Sequence, residues 1–244
     1  MSVRTTIREQ LAALGPVQEQ PFQEGSEAGT NLILWLPGQH PDLDPLLVGA
    51  HNDGPLHSIG ADDNASGIAA LLEFARRWRA SPPRRPVWIV AFDQEEWGML
   101  GSKALARELR QAGQRLRLMV SLEMLGFTSP TQDYPVPAMR RLYGEVGDFI
   151  AVVGNAGAAF TLTQLAGPMG RHVKIRVLPV PNRGRALPDV RRSDHSPFWD
   201  AGYDAVMVTD TSFLRNPHYH RMSDTIETRI CPSWRALPTG WMRR

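Results

Sequence analysis

The residues able to do chemistry fall in a few tight groups along the 244-residue chain. His51-Asn52-Asp53 is followed by Asp62-Asp63-Asn64. Further on come Asp93-Gln94-Glu95-Glu96, then Glu123, then a late segment bearing Asp210, His218 and His220. Imidazoles and carboxylates without cysteine suit Zn²⁺ or a similar divalent ion. Acids gathered in one place repel each other unless a cation lies between them. A set this acidic can hold two ions that share a bridging carboxylate, and ions about 3.5–4 Å apart are a known hydrolytic device.

Strands are what could bring these groups together. Apolar runs at 31–37, 45–50, 86–92, 118–122, 149–154, 173–180 and 205–209 are continuous rather than alternating, as in strands covered on both faces. Helical periodicity marks 66–80 and 101–113, more weakly 156–170 and 223–237, and a short amphipathic stretch lies at the N-terminus. Strands alternating with helices predict an α/β sandwich with a largely parallel sheet. In such sheets ligands sit beyond the carboxyl ends of the strands. Four strand ends here deliver acids or imidazoles: 45–50 into His51, 86–92 into Asp93–Glu96, 118–122 into Glu123, and 205–209 into Asp210 and the histidine loop. Turns and helix caps also favour polar strand ends, and that explains one or two of them. The pair Glu95-Glu96 alone would pass as an acidic helix start. Two long segments, 128–148 with its three prolines and 182–197, are predicted loops.

Composition narrows the alternatives. At 42% hydrophobic and 21% charged the chain can build a proper core. No repeat, low-complexity tract or linker divides it, so residues 1–244 are expected to form a single domain. Net charge is +2, and only Lys103 and Lys174 are lysines. No dense basic run interleaved with aromatics predicts nucleic-acid binding. Cys231 is alone, so an intrachain disulfide is impossible. No signal-peptide core and no apolar run of about 20 residues is present, which predicts a soluble, cytoplasmic protein without membrane contact. The oligomeric state is not legible.

The stretches AHNDG (50–54), GADDNASGIAAL (60–71), IVAFDQEEWGMLGSKALA (89–106), VSLEMLGF (120–127), SDHSPFWDAGY (193–203) and HYHRMSDT (218–225) resemble, in order, the motifs of the M28 family of zinc-dependent aminopeptidases. The resemblance implies a three-layer α/β sandwich of the zinc-exopeptidase, phosphorylase/hydrolase-like type, with a mixed, largely parallel sheet and helices on both faces. It implies two zinc ions per chain and a peptide or aminoacyl substrate. His51, Asp63 and Glu123 would hold the first ion; Asp63, Glu96 and His220 the second. Asp53 would orient the His51 imidazole, and Glu95 would be the general base. A cis peptide is implied at Asp63–Asn64. Glu123 stands where the family usually has aspartate, a departure of one methylene.

Met124, His195 and Tyr219 are candidate substrate contacts. Trp97, Phe127 and Phe213 are further candidate apolar walls, which would favour a hydrophobic first residue. Asp62 and Asp224 read as supporting groups. His218 is the competitor of His220 for the last ligand position, and spacing to Asp224-Thr225 favours His220. Asp194-His195 could suggest a hydrolase dyad, yet no GxSxG-type nucleophile accompanies it. Arg191 and Arg192 could bind a substrate carboxylate or lie on the surface. His40, His57 and His172 stand in no motif. Two rivals remain open: a glutaminyl cyclase, which resembles the same fold and uses one zinc, and a binding protein that has kept the fold without catalysis.

Overall fold

The computed structural model describes residues 2–228. The expected apolar runs form strands: β2 (Glu27–Leu36), β3 (Leu46–His51), β4 (Val87–Phe92), β5 (Leu118–Glu123), β6 (Phe149–Asn155), β7 (Lys174–Val180) and β8 (Ala205–Thr209). An eighth, β1 (Val17–Glu24), precedes them. They make one sheet in the order β1-β2-β4-β3-β5-β8-β6-β7. β3 pairs in parallel with β4 and β5, β5 with β8, and β6 with β7. β1/β2, β2/β4 and β6/β8 are antiparallel.

Helices cover both faces. On one side Ile7 and Leu11 of α1 (Val3–Ala12), Leu71, Phe74 and Trp78 of α2 (Ala65–Ala80), and Leu162 of α5 (Ala159–Met169) pack onto Val48, Val120, Val152 and Val208. On the other, Leu105 and Leu109 of α3 (Leu100–Gln111) and Phe198 and Trp199 of α6 (His195–Asp200) pack onto Leu47, Val90, Met119 and Met207. Successive strand residues point to opposite faces, so a strand buried on both must be apolar throughout. Each fully buried leucine of this core is worth about 2–5 kcal/mol against truncation to alanine.

Several elements lie outside the sequence expectation. β1 is polar, with the burial pattern of an edge strand in which only Gln20 and Phe22 are buried. Its Pro21 is tolerated because an edge strand need not donate on both sides. Residues 128–148 contain a short helix, α4 (Met139–Tyr143), and 182–197 contains two 3-10 turns and the start of α6. The helix expected over 223–237 falls mostly outside the described residues, as does Cys231; the described part holds only a 3-10 turn at Ile226–Thr228. No helix among the described residues is long and apolar enough to cross a membrane.

Candidate metal centre

β3 ends on His51, which is buried. Its Nδ1 lies 3.2 Å from the Asp53 carbonyl and 3.4 Å from Asp53 Oδ1. The Asp53 carboxylate also accepts from the backbone N–H of Glu95, at 3.0 Å, and of Glu96, at 3.1 Å. One aspartate therefore sets both the imidazole and the acid pair after β4. Asn52 completes this junction, its backbone N–H donating to Phe92 O at 2.8 Å.

Asp63 is delivered by the turn before α2. The Asp63–Asn64 peptide is cis. The Asp224 carboxylate accepts from the N–H of Asp62 at 3.0 Å and of Asp63 at 3.1 Å, pinning the turn from below. Asp62 is buried and accepts from Gly126 N–H at 2.7 Å and Asn216 Nδ2 at 2.9 Å. Asn64 caps α2 by accepting from Gly67 N–H, accepts from Met124 N–H, and donates to Leu122 O. A Cβ at Gly67 would stand 2.3 Å from Asn64 Oδ1 and 2.7 Å from Leu122 O, so only glycine lets α2 approach β5 this closely.

Glu123 ends β5, and its Oε2 accepts from Ser193 Oγ at 2.7 Å; Ser193 in turn lies 2.8 Å from Ser121 Oγ. His220 comes from the loop after β8 and stacks on Tyr219, with ring centroids 3.8 Å apart.

These side chains converge as two clusters that share Asp63. His51 Nε2 lies 3.3 Å from Asp63 Oδ1 and 3.5 Å from Glu123 Oε1. His220 Nε2 lies 3.2 Å from Asp63 Oδ2 and 3.3 Å from Glu96 Oε2. Neither imidazole Nε2 makes a hydrogen bond, although both atoms are buried. Zinc–ligand bonds of about 2.0–2.2 Å separate neighbouring atoms of a tetrahedron by roughly 3.3–3.6 Å. Two orphaned imidazole nitrogens, each facing two carboxylates at that spacing, fit a metal ion. Glu95 forms a third close group with His51 and Glu96.

The electrostatics reflect how closely these acids and imidazoles are gathered and how deeply they are buried. Burial, joined by Glu123, Asp194 and Glu96, pushes the Glu95 carboxyl well above the ordinary range. Burial and Asp63 push Glu96 up to about 7. Burial disfavours the charged His51 imidazole, yet Glu123, Asp53 and Asp63 outweigh it and raise its pKa. The Asp63 side chain raises His220, with Glu96 adding to it. Asp63, despite its burial, is held at about 2 by the two imidazoles.

A cavity of about 310 Å³ opens beside the clusters, with Asp63, Glu95, Glu96, Glu123 and His220 in its wall. Tyr219 and Phe213 line it as well. Met124, His195, Trp97 and Phe127 do not. Met124 is fully buried. His195 is sealed in the core, its Nε2 2.8 Å from Val190 O and its ring edge-on to Trp199; burial lowers its pKa to about 3. His218 turns to Ser223 Oγ and the edge of Phe127. Arg191 donates to Asp200 and to the Arg183 carbonyl. Arg192 does line the cavity and donates to the Tyr219 hydroxyl. His40, His57 and His172 join none of the clusters.

Sequence reasoning missed Ser193 and most of the far wall: Tyr134, Met139, Tyr143, Phe149, Arg176, Leu178 and Met207. Ser193 had one available signal, its place next to Asp194-His195 in a polar run entering a helix. Phe149, Arg176, Leu178 and Met207 had none, since the pairing of β6, β7 and β8 puts them beside the clusters, while Tyr134, Met139 and Tyr143 belong to the long 128–148 segment singled out in the sequence.

The sequence profile of peptidase family M28 matches residues 31–237. Among curated proteins, the uncharacterized protein YfbL of Escherichia coli K12 is 36% identical over 195 residues, covering 75% of this chain and 60% of that protein. A probable leucine aminopeptidase of Trichophyton verrucosum is 25% identical over 211 residues, covering 81% and 51%. The chain thus spans little more than half the length of these relatives. Among solved structures, a zinc aminopeptidase from Bacillus subtilis superposes with a TM-score of 0.66 at 24% identity, covering 88% of this chain and 50% of that one. The glutaminyl cyclase of Porphyromonas gingivalis gives 0.67 at 19% identity, covering 97% and 85%. At such identities the likeness shows the fold.

Proposed function

The chain belongs to peptidase family M28, and from that premise we propose that it is a metal-dependent aminopeptidase whose single catalytic domain uses two zinc ions and a glutamate base. The observation that carries this reading is the placement of Asp63, with one carboxylate oxygen toward the His51 cluster and the other toward the His220 cluster. His51, Asp63 and Glu123 would hold one ion; Asp63, Glu96 and His220 the other. Zinc in such a site supplies Lewis acidity, lowering the pKa of water and polarising a carbonyl.

The protein's own groups do the rest. Glu95 lines the cavity within reach of both clusters and takes the proton of the attacking water, then returns it to the leaving amine. Asp53 acts on the reaction through others, fixing the His51 ring and the Glu95 backbone together. The carboxylates at the cavity end receive a substrate's free α-amine, and the cavity takes its first residue. A one-zinc cyclase would leave the second cluster without a use.

The test is hydrolysis of a leucyl anilide by zinc-loaded protein, by chelated protein and by Glu95→Gln. Chelation abolishes turnover, and Glu95→Gln lowers kcat by about 10²–10⁴-fold with zinc content unchanged. Normal turnover in Glu95→Gln would remove the base assignment. Pyroglutamate formed from a glutaminyl peptide without cleavage would make the cyclase the better reading.

A further inference from the structure

One register row crosses four neighbouring strands on the cavity face. Glu123 of β5 pairs with Thr209 of β8, Thr209 with Ala151 of β6, and Ala151 with Arg176 of β7. Glu123, Thr209, Ala151 and Arg176 all line the cavity. Strand spacing of about 4.8 Å places the first and last backbones roughly 14 Å apart. The row begins on a carboxylate of the metal cluster and ends on a guanidinium. The two residues between them are small, so the floor stays open from one end to the other.

The guanidinium lacks an acid. Arg176 Nε donates to the Tyr143 carbonyl at 3.1 Å, Nη1 reaches the Ile175 carbonyl at 3.4 Å, and the group lies 5.7 Å from the Phe149 ring centroid. Among the described residues it makes no salt bridge, though it is half-buried. Nearby hydroxyls are already committed, Tyr134 to Gly144 O and Tyr143 to Val177 O. Of the other cavity charges, Asp63, Glu96 and Glu123 face the two imidazoles, and Glu95 stands with them. Arg192, the other cavity cation, lies at the His220 end, where it donates to the Tyr219 hydroxyl and sits 4.9 Å from the Phe213 ring centroid. Arg176 is left as a cation without an acid beside Tyr134, Met139, Tyr143, Phe149 and Leu178.

We propose that Arg176 receives a carboxylate of the substrate, which makes it a specificity-determining residue for substrates with an anionic end away from the scissile bond. The inference rests on the aminopeptidase reading for the position of that bond. A short apolar stem ending in a carboxylate matches the walls and the terminus together: methylenes lie against Ala151 and the aromatics, and the charge meets the guanidinium. Two parts of a peptide offer this chemistry, an acidic side chain on the first residue or the C-terminal carboxylate of a short peptide.

The experiment compares isosteric pairs on zinc-loaded protein: glutamyl against glutaminyl anilide for the side chain, and Leu-Ala against Leu-Ala-amide for the C-terminus. In at least one pair, kcat/KM of the charged member exceeds its neutral partner by about tenfold or more, the scale of one charge-assisted hydrogen bond. The pair that discriminates identifies the source. Arg176→Gln brings that ratio to about one, while Arg176→Lys retains part of it. Cleavage of leucyl anilide with both ratios at or below one in the unaltered protein overturns the inference and leaves the aminopeptidase reading standing. Failure to cleave any substrate overturns the aminopeptidase reading instead. Calorimetric binding of glutamate against glutamine then decides: a preference of about tenfold that Arg176→Gln abolishes upholds Arg176 as a carboxylate site, and equal binding overturns it.

Discussion

The two metal clusters share a carboxylate but live in different media. In the inner one, the side chains of His51, Asp63 and Glu123 are 1%, 2% and 8% exposed. In the outer one, Glu96 and His220 are 12% and 36% exposed. Water can partly solvate the outer charges if their ion leaves. It reaches the inner ones far less, and they lean on the His51 imidazole and the hydroxyl of Ser193. A carboxylate taken from water and left unpaired is costly, so the inner cluster depends on its partners far more than the outer. The inner site therefore behaves as part of the core, and the outer one as part of the cavity.

The largest effect should separate the clusters directly. His51→Ala strands two buried carboxylates and is expected to cost the zinc-loaded protein about 3–5 kcal/mol of unfolding free energy. His220→Ala removes a group near the surface and should cost about 1 kcal/mol or less, with zinc content falling by one ion per chain. Denaturant unfolding and metal analysis of both variants check this, and equal losses would erase the distinction.

Ser193→Ala sharpens it within the inner cluster. It frees one oxygen of Glu123 and should weaken zinc binding there by about 10–100-fold, read by competition with a chromophoric chelator. Unchanged affinity would make Ser193 a packing residue only.

The pH response follows from the raised pKa values. In the metal-free chain His51 and Glu96 hold protons into the neutral range, and zinc must displace them. Affinity should therefore rise with pH, by up to about tenfold per unit for each proton displaced, and level off once the pH passes the raised pKa values. Calorimetry in buffers of different ionisation enthalpy measures the protons released; zero release between pH 6 and 8 would count against both sets of shifts. The smallest effect belongs to His218→Ala, which should move stability by no more than about 0.5 kcal/mol and leave zinc content untouched.

The residues of the clusters were legible because each ends a strand or opens a turn. His51 and Glu123 follow apolar runs with no gap and Glu96 follows one after three residues, so reading the strands placed them at one edge. His220 was chosen over His218 by local spacing, and the structure brings His220 to Asp63 while His218 turns to Ser223. The sheet's first strand escaped because Gln-Glu-Gln-Pro-Phe has no apolar period, its strand state being imposed by pairing with β2. α6 escaped because six residues carry too little periodicity to register. Met124 and His195 were placed near the substrate by motif proximity, whereas chain direction turns both side chains into the core. Arg176 was invisible as a site residue, since in sequence it is a charge in a strand, and only inter-strand register sets it opposite Glu123.

The hydrogen bonds from Asp62 and Asp63 to Asp224 join positions about 160 residues apart, with Asp62 and Asp224 separated by 162. During synthesis the turn that carries Asp63 leaves the ribosome long before the aspartate that fixes it. His220, the last side chain of the clusters, arrives only four positions ahead of that aspartate. A nascent chain can thus gather the N-terminal half of the sheet while its coordination sphere stays unfinished. Closing of the His220 cluster is then a late event, and a product ended before residue 220 would hold Asp63 and Glu96 without the imidazole that faces them.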